Sequence, residues 1–361
     1  MYHGWRSPRC LALLTFILCL IGLNLLAFSQ MTIRHIRPAA VPIREQASFE
    51  VIDLSKVIVH DNSSESMGSK SIPKPVAPES SAPKPLKFPK DSLGAMYPGG
   101  HDVAIPDKCL NKGEGIDLVI VVTSEPSRLK ARTAIRQTWG SFGSRPNLRV
   151  FFILGRTEDT KLERLLQDEQ KLHDDMIRGR FHDSYSNLTL KTISSLEWFD
   201  TYCSAAKFLL KTDDDMFINV PRLVSFAKKH EADRNVIFGL RVQNSQPIRD
   251  KNSKWYASLE QYKPTVYPDY TIGAAYLLPT DIIHKLYETA LREPFLRIED
   301  VFTTGVVAQK LKIKRVYANE FWNQAIAYTA CNVQRYISIH GVLPREQYDL
   351  WKKLFDENSK C

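Results

Sequence analysis

The run "IDLVIVVTS", Ile116 to Ser124, most constrains the fold. A strand that is apolar at consecutive positions must be covered on both faces, which places it inside a sheet sandwiched between helices. "LRVFFILG", starting at Leu148, is a second such run. Between them "SRLKARTAIRQTWGSF" has helical spacing, with Gly140 as a stop. Further on, "TKLERLLQDEQKLHDDM" spaces Leu162, Leu165, Leu166 and Leu172 along one amphipathic face. "NLTLKTISSLEWFDTYC" reads as another helix and "KFLLKT" as a short strand. "NVPRLVSFAKKH" has Asn219 as a cap and Pro221 in its first turn. "NVIFG" and "AAYLLP" read as later strands, "TDIIHKLYETALR" and "EDVFTTGVVAQKL" as later helices. Alternation of this kind predicts an α/β domain with a mostly parallel sheet flanked by helices.

The rest of the chain is organised differently. "CLALLTFILCLIGLNLLAF", Cys10 to Phe28, holds no charged residue over 19 positions. That is close to the length needed to cross a bilayer as a helix, and longer than the apolar core of a cleaved signal peptide. It predicts an uncleaved anchor at 10–28 after a short tail at 1–9. A Pro/Lys/Ser-rich stem at 29–112 follows, with too few large apolar residues to fold, and then a globular domain at 113–361. Such an anchor sends the domain into the secretory lumen. Asn62 and Asn187 are then acceptor sequons for N-glycosylation. Cys109, Cys203, Cys331 and Cys361 suggest two disulfides, with three connectivities open. The net charge of +9 is spread along the chain and forms no basic block interleaved with aromatics. Nucleic-acid binding is therefore not expected.

"KFLLKTDDDMFINV" places Asp213, Asp214 and Asp215 after a buried strand and before a capped helix. Ligands bind at the carboxyl ends of strands in open α/β sheets. Three adjacent carboxylates need compensation, and a divalent cation that holds a diphosphate supplies it. An EF-hand loop is excluded, because the sixth and twelfth positions are Ile218 and Val224. Walker and GxGxxG phosphate loops are absent from the sequence. Arg132 and Arg136, four apart on one helical face, can reach a shared anion. Lys211 can offset the aspartates. Gly273 lets backbone approach a sugar closely, and Trp255 and Tyr256 can stack on a pyranose ring. Glu299 and Asp300 begin a helix, where acids are also favoured by the dipole.

The series "RTAIRQTWG", "FFILG", "DSYSNLTLKT", "FLLKTDDDMFIN", "KWYASLEQYKPTVYPDYTIGAAYLL" and "IEDVFTTG", in that order, resembles the β-1,3-galactosyltransferase family. The likeness runs from about Gly115 to Leu343. It implies a GT-A fold, a Rossmann-like nucleotide-sugar domain in a type II Golgi membrane protein with its catalytic part in the lumen. It also implies a UDP-sugar donor, a glycan acceptor on glycoprotein or glycolipid, and inversion at the anomeric carbon. Galactose is the expected sugar, with N-acetylglucosamine or N-acetylgalactosamine as alternatives, or a silent glycan-binding relative. The cofactor implied is manganese, with magnesium as the other candidate. By resemblance Asp215 is the direct metal ligand, with Asp213 and Asp214 on the ribose side and around the ion. His340, in "YISIHGV", is read as a further ligand, against the plainer reading of a hydrogen-bonded core histidine. Asp300 is the implied base and Glu299 its neighbour that orients the acceptor or the loop. Arg132, Arg136, Lys211 and Gly273 are expected near the nucleotide sugar.

Overall fold

The computed structural model describes residues 88–359 and residue 361. The apolar run 10–28, most of the stem and Asn62 lie outside them. Among the described residues no helix is long and apolar enough to cross a membrane.

The strands are β1 (His101–Val103), β2 (Leu118–Thr123), β3 (Leu148–Arg156), β4 (Met176–His182), β5 (Phe208–Asp213), β6 (Met216–Ile218), β7 (Val236–Val242), β8 (Tyr270–Pro279), β9 (Lys314–Tyr317) and β10 (Ser338–His340). The helices are α1 (Leu93–Met96), α2 (Leu129–Gln137), α3 (Thr160–His173), α4 (Leu188–Tyr202), α5 (Val220–Lys229), α6 (Thr280–Ala290), α7 (Ala308–Lys310), α8 (Ala330–Arg335) and α9 (Pro344–Leu354). A π-helical segment, Val301–Val307, leads into α7. An eight-stranded sheet runs β1-β4-β3-β2-β5-β8-β7-β9, and β6 and β10 form a separate two-stranded ladder.

The apolar runs behave as their composition demands. All six residues of β2 are buried. Leu118, Ile120 and Val122 pack on one side of the sheet, while Val119 and Val121 pack on the other. Each such side chain stabilises the fold by about 1.5–3 kcal/mol. Asn219 caps α5, its side chain accepting from the Arg222 N–H at 3.1 Å. The sheet is mostly parallel, as expected, and mixed. β4-β3, β3-β2, β2-β5 and β7-β9 are parallel, whereas β1-β4, β5-β8 and β8-β7 are antiparallel.

The expected stem boundary at residue 112 lies too far along the chain. Leu93 is fully buried, and β1 pairs with β4 at the sheet edge. Cys109 is disulfide-bonded to Cys203 at the end of α4. The Tyr97 hydroxyl and the Gly100 N–H both bond to Glu197 on α4. This segment lacks long apolar runs, so its composition resembles the stem. A disulfide, polar contacts and isolated buried side chains such as Leu93 and Ile105 hold it instead. Cys331 pairs with Cys361, which closes the second bridge.

Candidate active site

The carboxyl ends of β2 and β5 lie side by side, with Thr123 in register with Asp213. They open into a cleft of about 440 Å³ lined by Ser124, Arg128, Tyr185, Lys191 and the three aspartates, among others. The aspartates divide into three environments. Asp213 Oδ1 accepts from Thr123 Oγ1 at 2.5 Å and from Lys211 Nζ at 2.7 Å. Asp214 is buried; it accepts from Ser124 Oγ at 2.7 Å and lies 3.1 Å from Arg128 Nε. Burial pushes its carboxyl up to about 6, against the pull of Ser124 and Arg128.

Asp215 turns the other way. β6 pairs antiparallel with β10, so that Met216 faces His340. His340 Nε2 thereby lies 3.5 Å from Asp215 Oδ2. The β10 strand is itself pinned: Ser338 Oγ donates to Asn323 Oδ1, and Asn323 Nδ2 donates to the Ala275 carbonyl. Gln347 on α9 bonds the Met216 carbonyl and accepts from the Trp139 indole. Burial pushes the Asp215 carboxyl up, but His340 and Arg128 outweigh it and hold it below its ordinary value. The bond to Asp215 raises His340, against its partial burial.

A divalent cation can be tested against these groups. Asp215 Oδ1 is buried and has no hydrogen-bond partner, an oxygen that a cation would satisfy. Among the described residues no set of three or more His, Cys, Asp or Glu side chains converges as a metal cage. That suits an ion held by one or two side chains and completed by substrate phosphates, the usual pattern for magnesium-type sites. Asp215 and His340 fit such an ion. Asp213 is drawn away toward Lys211 and Thr123.

Lys211 is buried at the centre. Its ammonium donates to Asp213 Oδ1 and to the Gly273 carbonyl, at 2.7 and 2.6 Å, and lies 3.5 Å from Glu299 Oε2. Glu299 is buried, and its Oε1 accepts from the Tyr276 hydroxyl at 2.7 Å. Asp300, half-buried, accepts from the Gly273 N–H at 3.1 Å and from the Val301 N–H at 2.9 Å. Thr304 ties this turn to β8: its hydroxyl donates to the Asp300 carbonyl and accepts from the Thr271 N–H. A π-helical turn at this point is a frequent mark of a functional site. Burial raises both carboxyls, Glu299 against Lys211 and Asp300 against its two backbone donors. A Cβ at position 273 would meet Glu299 Oε2 at 2.9 Å and Asp300 Cβ at 3.2 Å, so a side chain there would press on both acids.

Two expected residues are elsewhere. Arg132 is fully buried, with its guanidinium on Glu169 and the Ser124–Pro126 loop. Arg136 grips Asp175 with two bonds and Glu169 with a third. The two arginines do share an anion, but it is Glu169 of α3. Their expected contact with a nucleotide is therefore corrected: they brace the loop that forms the cleft wall. The cations facing the cleft are Arg128, part-exposed, and Lys191, buried between Asp183 and the Ser124 carbonyl. Sequence reasoning passed over both. Lys191 stands inside the quoted "DSYSNLTLKT", and Arg128 five residues past the end of β2.

Trp255 is half-exposed, under the Lys254 ammonium at 4.4 Å and beside the Tyr185 hydroxyl at the cleft. Tyr256 is half-buried in the same loop, which a bridge to Ile248 closes. Asn187 is half-buried on the turn Tyr185–Asn187, its amide donating to the His182 carbonyl.

Fold and cleft together describe an α/β enzyme that works at the carboxyl ends of its strands. Residues 130–319 match the family model described as Galactosyltransferase. Mouse β-1,3-galactosyltransferase 1 is 34% identical over 240 residues, 66% of this chain and 73% of that protein. Human β-1,3-galactosyltransferase 5 is 34% identical over 248 residues, 67% of this chain and 79% of that protein. The chain belongs to the galactosyltransferase family and is an enzyme of that kind. A solved galactosyltransferase with donor and acceptor sugar analogues overlays with a TM-score of 0.35 at 8% identity, covering 66% of this chain and 96% of that one. An overlay this loose adds nothing to the assignment.

Proposed function

We propose that the chain is an inverting β-1,3-glycosyltransferase of GT-A type. It transfers a hexose, galactose by its relatives' names, from a UDP-sugar to the 3-hydroxyl of a glycan acceptor. The observation that carries this is the division of carboxylates in one site. Asp215 keeps an unpartnered buried oxygen beside His340. Asp300 stands on the far side of Lys211 with its carboxyl raised by burial. Asp215 and His340 would hold manganese or magnesium, which when bound offsets the charge of the departing diphosphate.

The protein's own groups do the rest. Arg128 and Lys191 are the cationic donors that a diphosphate would meet in the cleft. Trp255 and Tyr185 offer ring faces to the acceptor sugar. The acceptor hydroxyl gives its proton to Asp300 as its oxygen bonds to the anomeric carbon. The bond from that carbon to the diphosphate oxygen breaks on the opposite face, and one displacement inverts the centre. A raised carboxyl suits a base, since a stronger base takes the proton more readily.

The place of action is the Golgi lumen, with residues 10–28 as a single-pass type II anchor. Two disulfides support an oxidising compartment. The test is a donor screen with a lumenal chain: UDP-galactose, UDP-N-acetylglucosamine and UDP-N-acetylgalactosamine, each with and without manganese. The readout is UDP release that depends on acceptor. Release from UDP-galactose with manganese, abolished by chelation and restored by added metal, is expected. Absence of release from every donor would sink the reading.

A further inference from the structure

The catalytic reading uses Asp215 and Asp300 but leaves the buried pair between them without a role. Lys211 is 3% exposed and Glu299 6%. Burying two charges is expensive, and breaking such a pair leaves an uncompensated charge. The Lys211 ammonium reaches Asp213 on its own strand and the Gly273 carbonyl on β8, with Glu299 opposite. The peptide whose carbonyl it holds belongs to the residue whose N–H holds Asp300 Oδ2. A hydrogen-bonded line therefore runs from Asp213 through Lys211 and Gly273 to Asp300. Tyr276, across from Lys211 in the β5-β8 ladder, fixes the other Glu299 oxygen.

We infer that Lys211 and Glu299 are positioning residues, whose buried ion pair clamps the main chain at Gly273 and through it orients the Asp300 carboxylate relative to the aspartate cluster. The inference rests on the transferase reading for its purpose, though not for its test. The groups that face Asp300 are Lys211 from β5, Glu299 before it, Tyr270 and Tyr276 from β8, Tyr267 just ahead of that strand, and Tyr185 across the cleft. Of these only Lys211 and Glu299 carry charge, and their charges are opposite. Removing the lysine charge makes the Asp300 carboxylate less favourable, so its titration moves to higher pH. Removing the Glu299 charge moves it to lower pH. A scaffold role alone would loosen the fold without opposed shifts.

The experiment is a carbon-13 titration of aspartate side chains in the folded lumenal chain. The Asp300 signal is assigned by its loss in Asp300→Asn. Wild type is compared with Lys211→Met and Glu299→Gln. The expected shifts are on the order of one pH unit, upward for Lys211→Met and downward for Glu299→Gln. The acidic limb of kcat/KM for the acceptor moves the same way. Equal titration in all three proteins, or shifts of the same sign, overturns the inference. If Lys211→Met does not fold, Glu299→Gln decides alone: a downward shift supports the clamp and no shift refutes it. Failure of the transferase reading would show instead as wild type that releases no UDP.

Discussion

At the scale of single residues, metal-side and base-side losses should look different. Asp215→Asn removes the charge beside His340 and should weaken manganese and UDP binding together, with partial recovery in excess metal. Asp300→Asn should keep UDP binding while turnover falls by about 10²–10⁴-fold, the usual range for general acid–base catalysis. Calorimetric titration beside steady-state kinetics separates them. Loss of UDP binding in Asp300→Asn equal to that in Asp215→Asn would show that Asp300 is not the base. The arginines give a second contrast. Arg132→Ala strips the buried Glu169 of its main partner and should cost about 3–5 kcal/mol of stability in thermal or urea melts. Arg128→Ala, at the rim with a side chain 40% exposed, should cost less stability than Arg132→Ala yet weaken UDP binding. The same pair shows what a sequence can disclose. The spacing of Arg132 and Arg136 revealed a common anion, but nothing local revealed that a glutamate of another helix supplies it. The three aspartates were legible as a site because adjacent like charges after an apolar strand demand an explanation. Their separate orientations depend on Lys211, Arg128 and His340, which only the folded chain brings to them.

At the scale of elements, legibility followed length. β2, β3 and α3 are long enough for their patterns to be unambiguous. β6 and β10, three residues each, carry no readable period and owe their existence to one another. β4 was missed because "MIRGRFH" looks too charged for an inner strand. Arg178 is buried there with its guanidinium paired to Glu163 of α3 at 2.7 Å and donating to the Gly155 carbonyl. The folded N-terminal segment was missed for a similar reason, and it yields a prediction. A chain that begins at residue 88 should express as a soluble, cooperatively melting protein. One that begins at residue 113 removes β1 and Cys109, leaves the β4 edge unpaired, and loses a bridge that spans 94 residues of sequence. It should aggregate, as size-exclusion chromatography would show; a monodisperse product would refute this account of the segment. His101, at the start of β1, adds a pH dependence. Burial holds its imidazole below its ordinary value, partly offset by Glu197 and the Ser194 carbonyl. A depressed histidine binds fewer protons folded than unfolded. Stability should therefore fall as pH drops below about 6.5, and His101→Gln should flatten that fall in melts taken between pH 7 and 5.

At the scale of the whole molecule, the sheet is a platform whose strand ends carry the proposed chemistry, and the loops around it wall the cleft. The secretory reading makes Asn187 the sequon to examine. It stands on a surface turn, next to cleft residues Tyr185 and Leu188. Asn187→Gln should increase mobility by one glycan in a gel of the secreted chain, and an unchanged band would mean the site is skipped. The β6-β10 ladder has a consequence in time as well as in space. During synthesis Asp215 leaves the ribosome well before His340, and β6 has no partner until residues 338–340 have emerged. All strands of the large sheet precede α8 in the chain, but Val333, Ile337, Ile339, Val342 and Leu350 complete the core on one of its sides. A product that stops short of β10 thus lacks part of that core and the histidine beside Asp215. Completion of the proposed donor pocket is thereby tied to the emergence of residues 338–340.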